Sequence, residues 1–149
     1  MNSPDKNCDV DALNQLLRGE ISAVETYEQA IAKFEGKPGE SDLRRIRDEH
    51  AQAVKSLTKR VIDFGGEPTT SSGSWGTFAG AVTGTAKLVG PETVLTALTK
   101  GEEHGISEYE EALANVDVNA ECKEVFRSQF LPLCRKHVSE LDALAKSQA

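Results

Sequence analysis

Two glutamates and two histidines interrupt the apolar runs of this sequence. Glu20, His50, Glu102 and His137 each stand where a spacing of three and four would otherwise place leucine, isoleucine or valine. That spacing marks the buried face of a helix, so these side chains are expected to point inwards. Buried carboxylates need compensation, and carboxylate and neutral imidazole are ligands that zinc, iron and manganese accept. The four residues therefore predict a divalent-metal site.

Structural hydrogen bonding is the alternative explanation for the same residues. A single histidine on an apolar face is more often a hydrogen-bonded core residue than a metal ligand, and a single glutamate there can extend towards solvent. Four such residues, one on each predicted helix, favour a metal site or a proton-sharing polar cluster over structural hydrogen bonding alone.

Other polar residues lie close to these four in the sequence. Tyr27 and Tyr109 follow the two glutamates by two helical turns and are expected to pack in the core, with hydrogen bonding to a metal ligand as the alternative. Cys134 is expected to be a buried free thiol rather than a further ligand. Glu103 and His104 are expected at a helix edge or in solvent. The remaining glutamates near the site are expected to form a solvated acidic face: Glu25, Glu28, Glu108, Glu110 and Glu111.

Four helices are predicted to position these side chains, in one domain over residues 1–149. Apolar periodicity, with glycine stops and polar or proline starts, places the helices at about residues 9–35, 42–64, 91–115 and 119–146. Pro132 is expected to kink or break the last helix. Residues 65–90, rich in Gly, Ser and Thr, are predicted to form a long crossover whose Trp75 and Phe78 pack on the bundle.

An internal repeat relates the first half of the chain to the second. The sequence GEISAVETYEQAIA from Gly19 matches GEEHGISEYEEALA from Gly101, with a tyrosine seven residues after the glutamate in both. HAQAVKSL from His50 matches HVSELDAL from His137 more loosely. The predicted fold class is therefore all-α, an antiparallel four-helix bundle of two repeated helical hairpins with a long connection between the second and third helices.

Composition and charge argue against several classes of function. The chain has 24 acidic and 17 basic residues and a net charge of −7, so no basic face is expected for nucleic acid. No stretch approaches the roughly 18 apolar residues of a membrane span, and the polar N-terminus has no signal-peptide core. Three widely spaced cysteines do not form a disulfide framework. We expect a cytoplasmic protein that binds neither nucleic acid nor membrane, with a homodimer as its assembly.

The order of these motifs resembles the ferritin-like superfamily. The Glu-x6-Tyr pattern on the first and third helices, the long connection, and the Gly-Gly-Glu-Pro loop at residues 65–68 are similar to its rubrerythrin-like branch. Within that branch the sequence looks most like little-characterised small bacterial bundles, and the likeness covers nearly the whole chain. The resemblance implies a ferritin-like fold with a metal centre in the middle of the bundle.

The chain departs from the ligand pattern of the superfamily's di-iron proteins. Those proteins use a glutamate on the first and third helices, which Glu20 and Glu102 match, and Glu-x-x-His on the other two. Arg47 and Cys134 stand where that second motif requires glutamate, three residues before each histidine.

A second register of the resemblance gives the histidines another role. Counted back from Gly65, the histidines take the positions of the bridging glutamates, and Ala53 and Glu140 take the usual histidine positions. In either register too few carboxylates remain for a di-iron centre. The pattern favours a mononuclear site of two histidines and two glutamates, with Glu140 as a further candidate ligand.

Three functions are compatible with these observations. The leading one is a ferritin-like metal-binding bundle, concerned with metal handling or oxidative stress, with no reaction assigned. An iron- or manganese-dependent oxidase or peroxidase is the first alternative. The second alternative is a metal-free structural or protein-interaction module in which the segment around Trp75 forms a partner surface. Fold alone does not choose among them, because function resides in the site.

Overall fold

The computed structural model describes residues 4–73, 75 and 90–147, and this part of the chain is all-helical without strands. The last helical segment has three consecutive parts. The elements are α1 (Pro4–Lys33), α2 (Glu40–Asp63), α3 (Pro91–Ala114), α4 (Ala120–Val125), a π-helical turn (Phe126–Phe130) and α5 (Leu131–Ser147). The prediction of four helical segments is confirmed. The first helix begins five residues earlier than predicted, because residues 4–8 include no large apolar side chain and add nothing to the apolar periodicity.

Glycines end α1 and α2 as the sequence indicates. Gly36 and Gly39 have φ angles of 73° and 103°, which L-residues with a side chain rarely adopt, and they turn the chain into α2. After α2, Gly65 has a φ of 80°, and the N–H of Gly66 donates to the carbonyl of Val61 at 2.9 Å. This is a Schellman ending, and it explains the glycine at position 65. Gly66 is explained by packing, because a Cβ atom there would lie 2.6 Å from Val10 Cγ1.

The last helical segment has a defined start and an internal irregularity. The Asn119 side chain accepts a 2.9 Å hydrogen bond from the Cys122 N–H and so caps α4. Within the π-helical turn, the N–H of Leu131 donates to the carbonyl of Phe126, five residues earlier. Pro132 follows directly and has no N–H to donate. The prediction of a local break near Pro132 is therefore confirmed.

Helix α1 packs on α2, α3 packs on α5, and α1 also contacts α3. The buried apolar residues form two separate clusters. One cluster includes Leu13, Leu17, Leu57, Tyr109, Phe126 and Cys134. The other includes Tyr27, Phe34, Ile46, Trp75, Leu98 and Leu141. In each of the four helical segments, the polar residue singled out above lies between members of the first cluster and members of the second. A polar layer therefore divides the core.

The start of the predicted crossover lies along α1. Asn14 donates to the carbonyl of Glu67 at 3.0 Å and accepts from the N–H of Thr69 at 2.9 Å. Further on, the N–H of Trp75 donates to the Ser22 hydroxyl at 3.0 Å, and the Trp75 side chain is 1% exposed. The predicted packing of Trp75 is confirmed, and because this residue is buried it is not part of an exposed partner surface. The prediction for Phe78 lies outside the described residues.

Among the described helices, none has both the length and the apolar character needed to cross a lipid bilayer.

The contact between Trp75 and Gly101 gives a test of this packing. A Cβ atom added to Gly101 would lie 2.4 Å from Trp75 Cε3, so Gly101→Ala is expected to lower the free energy of unfolding by about 1–3 kcal/mol. Gly105→Ala in the same helix is the matched control. Its nearest neighbour would be Cys134 Sγ at 4.0 Å, so helix propensity should raise stability by up to about 1 kcal/mol. Urea denaturation measures both, and equal effects would contradict this packing.

Candidate metal centre

The four side chains singled out from the sequence meet in the polar layer. All four are buried, and they form a chain in which carboxylate and imidazole alternate. His50 Nδ1 lies 2.5 Å from Glu20 Oε1, and His50 Nε2 lies 2.7 Å from Glu102 Oε2. The other oxygen of Glu102 lies 3.2 Å from His137 Nδ1. Helices α1, α2, α3 and α5 each contribute one of these residues, in the order Glu20, His50, Glu102, His137.

A fifth residue, Glu49, extends the chain towards the surface and was missed by the sequence reasoning. Its Oε1 atom lies 2.8 Å from His137 Nε2 and 3.3 Å from Arg45 Nη1. A signal was present, because Glu49 follows Ile46 by three residues and precedes Ala53 by four, which places it at the edge of the buried stripe of α2. The sequence pattern instead favoured the adjacent His50 as the inward-facing polar residue of this helix.

The two tyrosines link the glutamates across the layer. Tyr27, on the same helix as Glu20, donates to Glu102 Oε2 at 2.5 Å. Tyr109, on the same helix as Glu102, donates to Glu20 Oε2 at 2.6 Å. Each tyrosine thus bonds the glutamate of the other helix. Both rings are also buried in the core, so core packing, the interpretation favoured above, is combined with the hydrogen bonding given as the alternative.

Charge pairing sets the ionisation of the central residues. Burial by itself raises the pKa of Glu102, but the charge of His50 and hydrogen bonds from His137 and His50 bring it down to about 2. Burial by itself lowers the pKa of His50, but the carboxylates of Glu102 and Glu20 raise it well above its ordinary value. At neutral pH, Glu102 is a carboxylate and His50 an imidazolium. Their opposite charges offset the cost of burying each one.

Aromatic rings and a thiol enclose this layer. The Tyr27 ring stacks on the His50 imidazole at 5.4 Å between centroids, and the Trp75 ring meets the same imidazole edge-on at 6.0 Å. Cys134 is a buried free thiol, as predicted, and burial raises its pKa well above the ordinary value, with Glu102 and Glu20 adding to the shift. A thiol in that state is a poor metal ligand, since metals bind the thiolate.

Three of the four residues have donor atoms suitably placed for one metal ion. His50, Glu102 and His137 each offer an atom such that all three lie within 4.8 Å of one another. Ligand atoms of one zinc ion at tetrahedral angles lie about 3.4 Å apart. The separation of 3.2 Å between Glu102 Oε1 and His137 Nδ1 is close to this value, whereas His50 Nε2 lies 2.7 Å from the other oxygen, Glu102 Oε2. Glu20 contacts the other nitrogen of His50, away from this group. The donor set therefore fits a divalent ion.

The other predicted polar residues lie outside this group. Glu140 accepts from Arg45, which also contacts Glu49, and no contact joins Glu140 to the two histidines among the described hydrogen bonds. The assignment of Glu140 as a ligand stays a prediction. Glu103 is exposed, and His104 is partly exposed and lies 3.7 Å from Glu108.

The prediction that Glu108 belongs to a solvated acidic face is wrong. Its side chain is 9% exposed and accepts a long, 3.4 Å hydrogen bond from Gln15. The error has a physical origin. Glu108 directly precedes Tyr109 on α3 and faces Gln15 of α1, so its burial depends on the packing of these two helices.

Comparison with known proteins assigns a family but no activity. Residues 9–115 match the family described as "Domain of unknown function (DUF2383)", and the chain belongs to this family. The match includes Glu20, His50 and Glu102, whereas His137 lies beyond its end. No curated protein and no solved structure matches the chain.

The raised pKa of His50 predicts a pH-dependent stability. In the presence of a chelator, the proton bound to His50 stabilises the folded state fully at pH values below the unfolded-state pKa of about 6.5. This stabilisation is lost as the pH rises through the higher pKa of His50 in the folded state. The free energy of unfolding should therefore fall above pH 6.5, by up to about 1.4 kcal/mol per pH unit. Urea denaturation from pH 6 to 9 measures this slope. His50→Gln should flatten it and His104→Gln should not. A wild-type curve that is flat over this range would contradict the protonated pair.

Proposed function

We propose that this protein is a ferritin-like bundle of two antiparallel helical hairpins that binds one divalent metal ion in its central layer, for metal handling or protection from oxidative stress. The observation that carries the proposal is the buried group of His50, Glu102 and His137, whose donor atoms lie within 4.8 Å of one another. Family membership supplies no function that contradicts it.

The order of the two core clusters along the helices supports the antiparallel arrangement. Helix α1 runs from the first cluster, at Leu13, to the second, at Phe34, whereas α2 runs from the second, at Leu43, to the first. Helix α3 likewise runs from the second cluster to the first, and the last segment runs back. The two tyrosine–glutamate hydrogen bonds support the repeat. In each bond, the tyrosine of one hairpin donates to the glutamate of the other, and the two bonds join equivalent positions.

Charge balance supports the exchange of a metal ion for protons. The positive charge of the His50 imidazolium offsets the carboxylates of Glu102 and Glu20 in the buried layer. A divalent ion bound beside a neutral His50 would supply positive charge to the same carboxylates in place of that proton. Such a replacement avoids the cost of burying an uncompensated charge. Metal binding should accordingly release protons and strengthen with rising pH.

In the proposed site, His50, Glu102 and His137 would hold the ion. Glu20 either orients the His50 ring through Nδ1 or joins as a fourth ligand, and Glu49 orients His137 through Nε2. Zinc, iron and manganese all accept this donor set. Bound there, the ion would supply Lewis acidity, and iron or manganese would add one-electron chemistry. We also propose a cytoplasmic location, which the free thiols of Cys122 and Cys134 support.

Metal content tests the proposal directly. Protein purified without chelator should contain about one zinc, iron or manganese ion per chain, and titration with Zn²⁺ should give one tight site. His50→Ala and Glu102→Gln should each weaken Zn²⁺ binding at least about 100-fold, and Glu20→Gln by about 10–100-fold. The third histidine gives the matched control, because His104→Ala lies outside the group and should bind like wild type. Wild-type protein without a stoichiometric site would overturn the proposal.

A redox enzyme is the second candidate, favoured by the composition of the ligand group. Two histidines and one carboxylate leave coordination positions open, as in non-haem iron oxygenases. If this candidate is right, the Fe²⁺- or Mn²⁺-loaded protein should consume oxygen or peroxide at least about tenfold faster than His50→Ala. Oxygen-electrode and peroxide assays measure the rates, with Zn²⁺-loaded wild type as an inert control. Equal rates in all three samples would leave metal binding without redox catalysis.

A further inference from the structure

Two cavities share a wall formed by Leu16 and Glu108. The outer one is a surface groove of about 240 Å³ between α1 and α3. The inner one, of about 10 Å³, is lined by residues that include Glu20, His50 and Glu102 of the polar layer. Leu16 and Glu108 line both. Leu16 and Glu108 therefore stand between the surface groove and the cavity beside the proposed metal site.

Glu108 has weak partners for a buried carboxylate. It is 9% exposed, yet its contacts are a 3.4 Å hydrogen bond from Gln15 and a 3.7 Å approach to His104. Burial raises its pKa, with opposing contributions from His104 and Gln15 and smaller additions from Glu111 and Glu20. The Glu108 carboxyl group therefore interacts with Glu111 in the groove on one side and with Glu20 in the polar layer on the other. A carboxylate held this loosely can exchange its partners for a cation at little cost.

Carboxylates follow one another from solvent to the layer. Asp11 and Glu111 are exposed in the outer groove, Glu108 stands in the wall, and Glu20 and Glu102 face the inner cavity. A row of one sign of charge in a cleft concentrates counter-ions and speeds their association. Carboxylate oxygens are ligands of divalent cations, so each residue in this row can bind an ion that sheds its water.

We propose that the groove between α1 and α3 is the access route of the metal ion, and that Glu108 is a transient ligand that passes it to Glu20 and Glu102. This inference rests on the metal site proposed above. It assigns to Glu108 a role in the rate of metal exchange and not in the final coordination.

The other approach to the layer is less suited to a cation. A groove of about 330 Å³ lies beside Glu49, and Glu49 is the one carboxylate among its lining residues. That carboxylate is engaged by His137 at 2.8 Å and by Arg45 at 3.3 Å. The Arg45 guanidinium, which also pairs with Glu140 and Asp42, offsets the charge of Glu49, so this carboxylate is less available to an incoming metal ion than Glu108 is.

Metal loading can be followed without a label. Trp75 is the one tryptophan in the sequence, and its ring lies 6.0 Å from His50, so a bound Co²⁺ ion should quench its fluorescence. Stopped-flow mixing with Co²⁺ gives the loading rate, transfer to excess chelator gives the release rate, and equilibrium titration gives the affinity. Glu108→Gln removes the charge and keeps the shape. Glu110→Gln is the matched control, because Glu110 is exposed on the same helix and pairs with Arg135.

The access route predicts that Glu108→Gln slows loading and release together. Each rate should fall at least about tenfold while the affinity changes less than about threefold. Glu110→Gln should load like wild type. The double variant Asp11→Asn/Glu111→Gln should load more slowly at low salt and normally at high salt, because salt screens exposed charges, whereas the Glu108→Gln effect should persist.

Other outcomes would overturn the inference in different ways. Unchanged loading of Glu108→Gln would exclude this route, and slowed loading of Glu49→Gln alone would move the route to the other groove. A loss of affinity with faster release in Glu108→Gln would make Glu108 a ligand of the final site. Failure of wild type to bind Co²⁺ or Zn²⁺ at equilibrium would refute the proposed function itself, and the access route with it.

Discussion

The buried carboxylate of Glu102 is the constraint on which the other features of the layer depend. Its side chain is fully buried, and it forms hydrogen bonds or ion pairs with residues of the other three helical segments. Tyr27 reaches it from α1 at 2.5 Å, His50 from α2 at 2.7 Å, and His137 from α5 at 3.2 Å. Loss of the His50 imidazolium would leave the charge of Glu102 uncompensated in the interior, at a cost of about 3–5 kcal/mol. One side chain thereby fixes the axial position of every helix relative to α3.

This constraint explains why the core is divided. Apolar contacts alone are non-directional and would tolerate sliding of the helices by a turn. The polar layer admits one register, in which Tyr27 meets Glu102 and Tyr109 meets Glu20. Hydrogen bonds and charge pairs require defined distances and angles, so the layer adds specificity that the apolar clusters on either side do not provide. We infer that the proposed metal site and the hydrogen bonds that fix the register of the helices lie in the same polar layer.

The layer also relates the proposed function to the family. The family match covers the three helices that contribute Glu20, His50 and Glu102, and it ends before the segment that carries His137. A hydrogen-bonded layer and a metal site need the same residue types, because protons and a divalent cation satisfy the same lone pairs. The choice between them is set by the competition of metal with protons, and pH and metal supply govern it.

Sequence alone determined the helices, their order and four members of the polar layer. Apolar periodicity, the glycines that end helices, and the repeated Gly-Glu and Tyr pattern are local signals. They can be recognised without knowledge of the fold. Only the tertiary structure decided that Glu49 extends the layer, that Glu108 is buried, and that Glu140 pairs with Arg45. Those residues lie at the margins of helix faces, where burial depends on the neighbouring helix and not on the residue's own periodicity. The helices could be predicted because their sequence signals are local. The contact partners of Glu49, Glu108 and Glu140 could not be predicted, because the packing of neighbouring helices decides them.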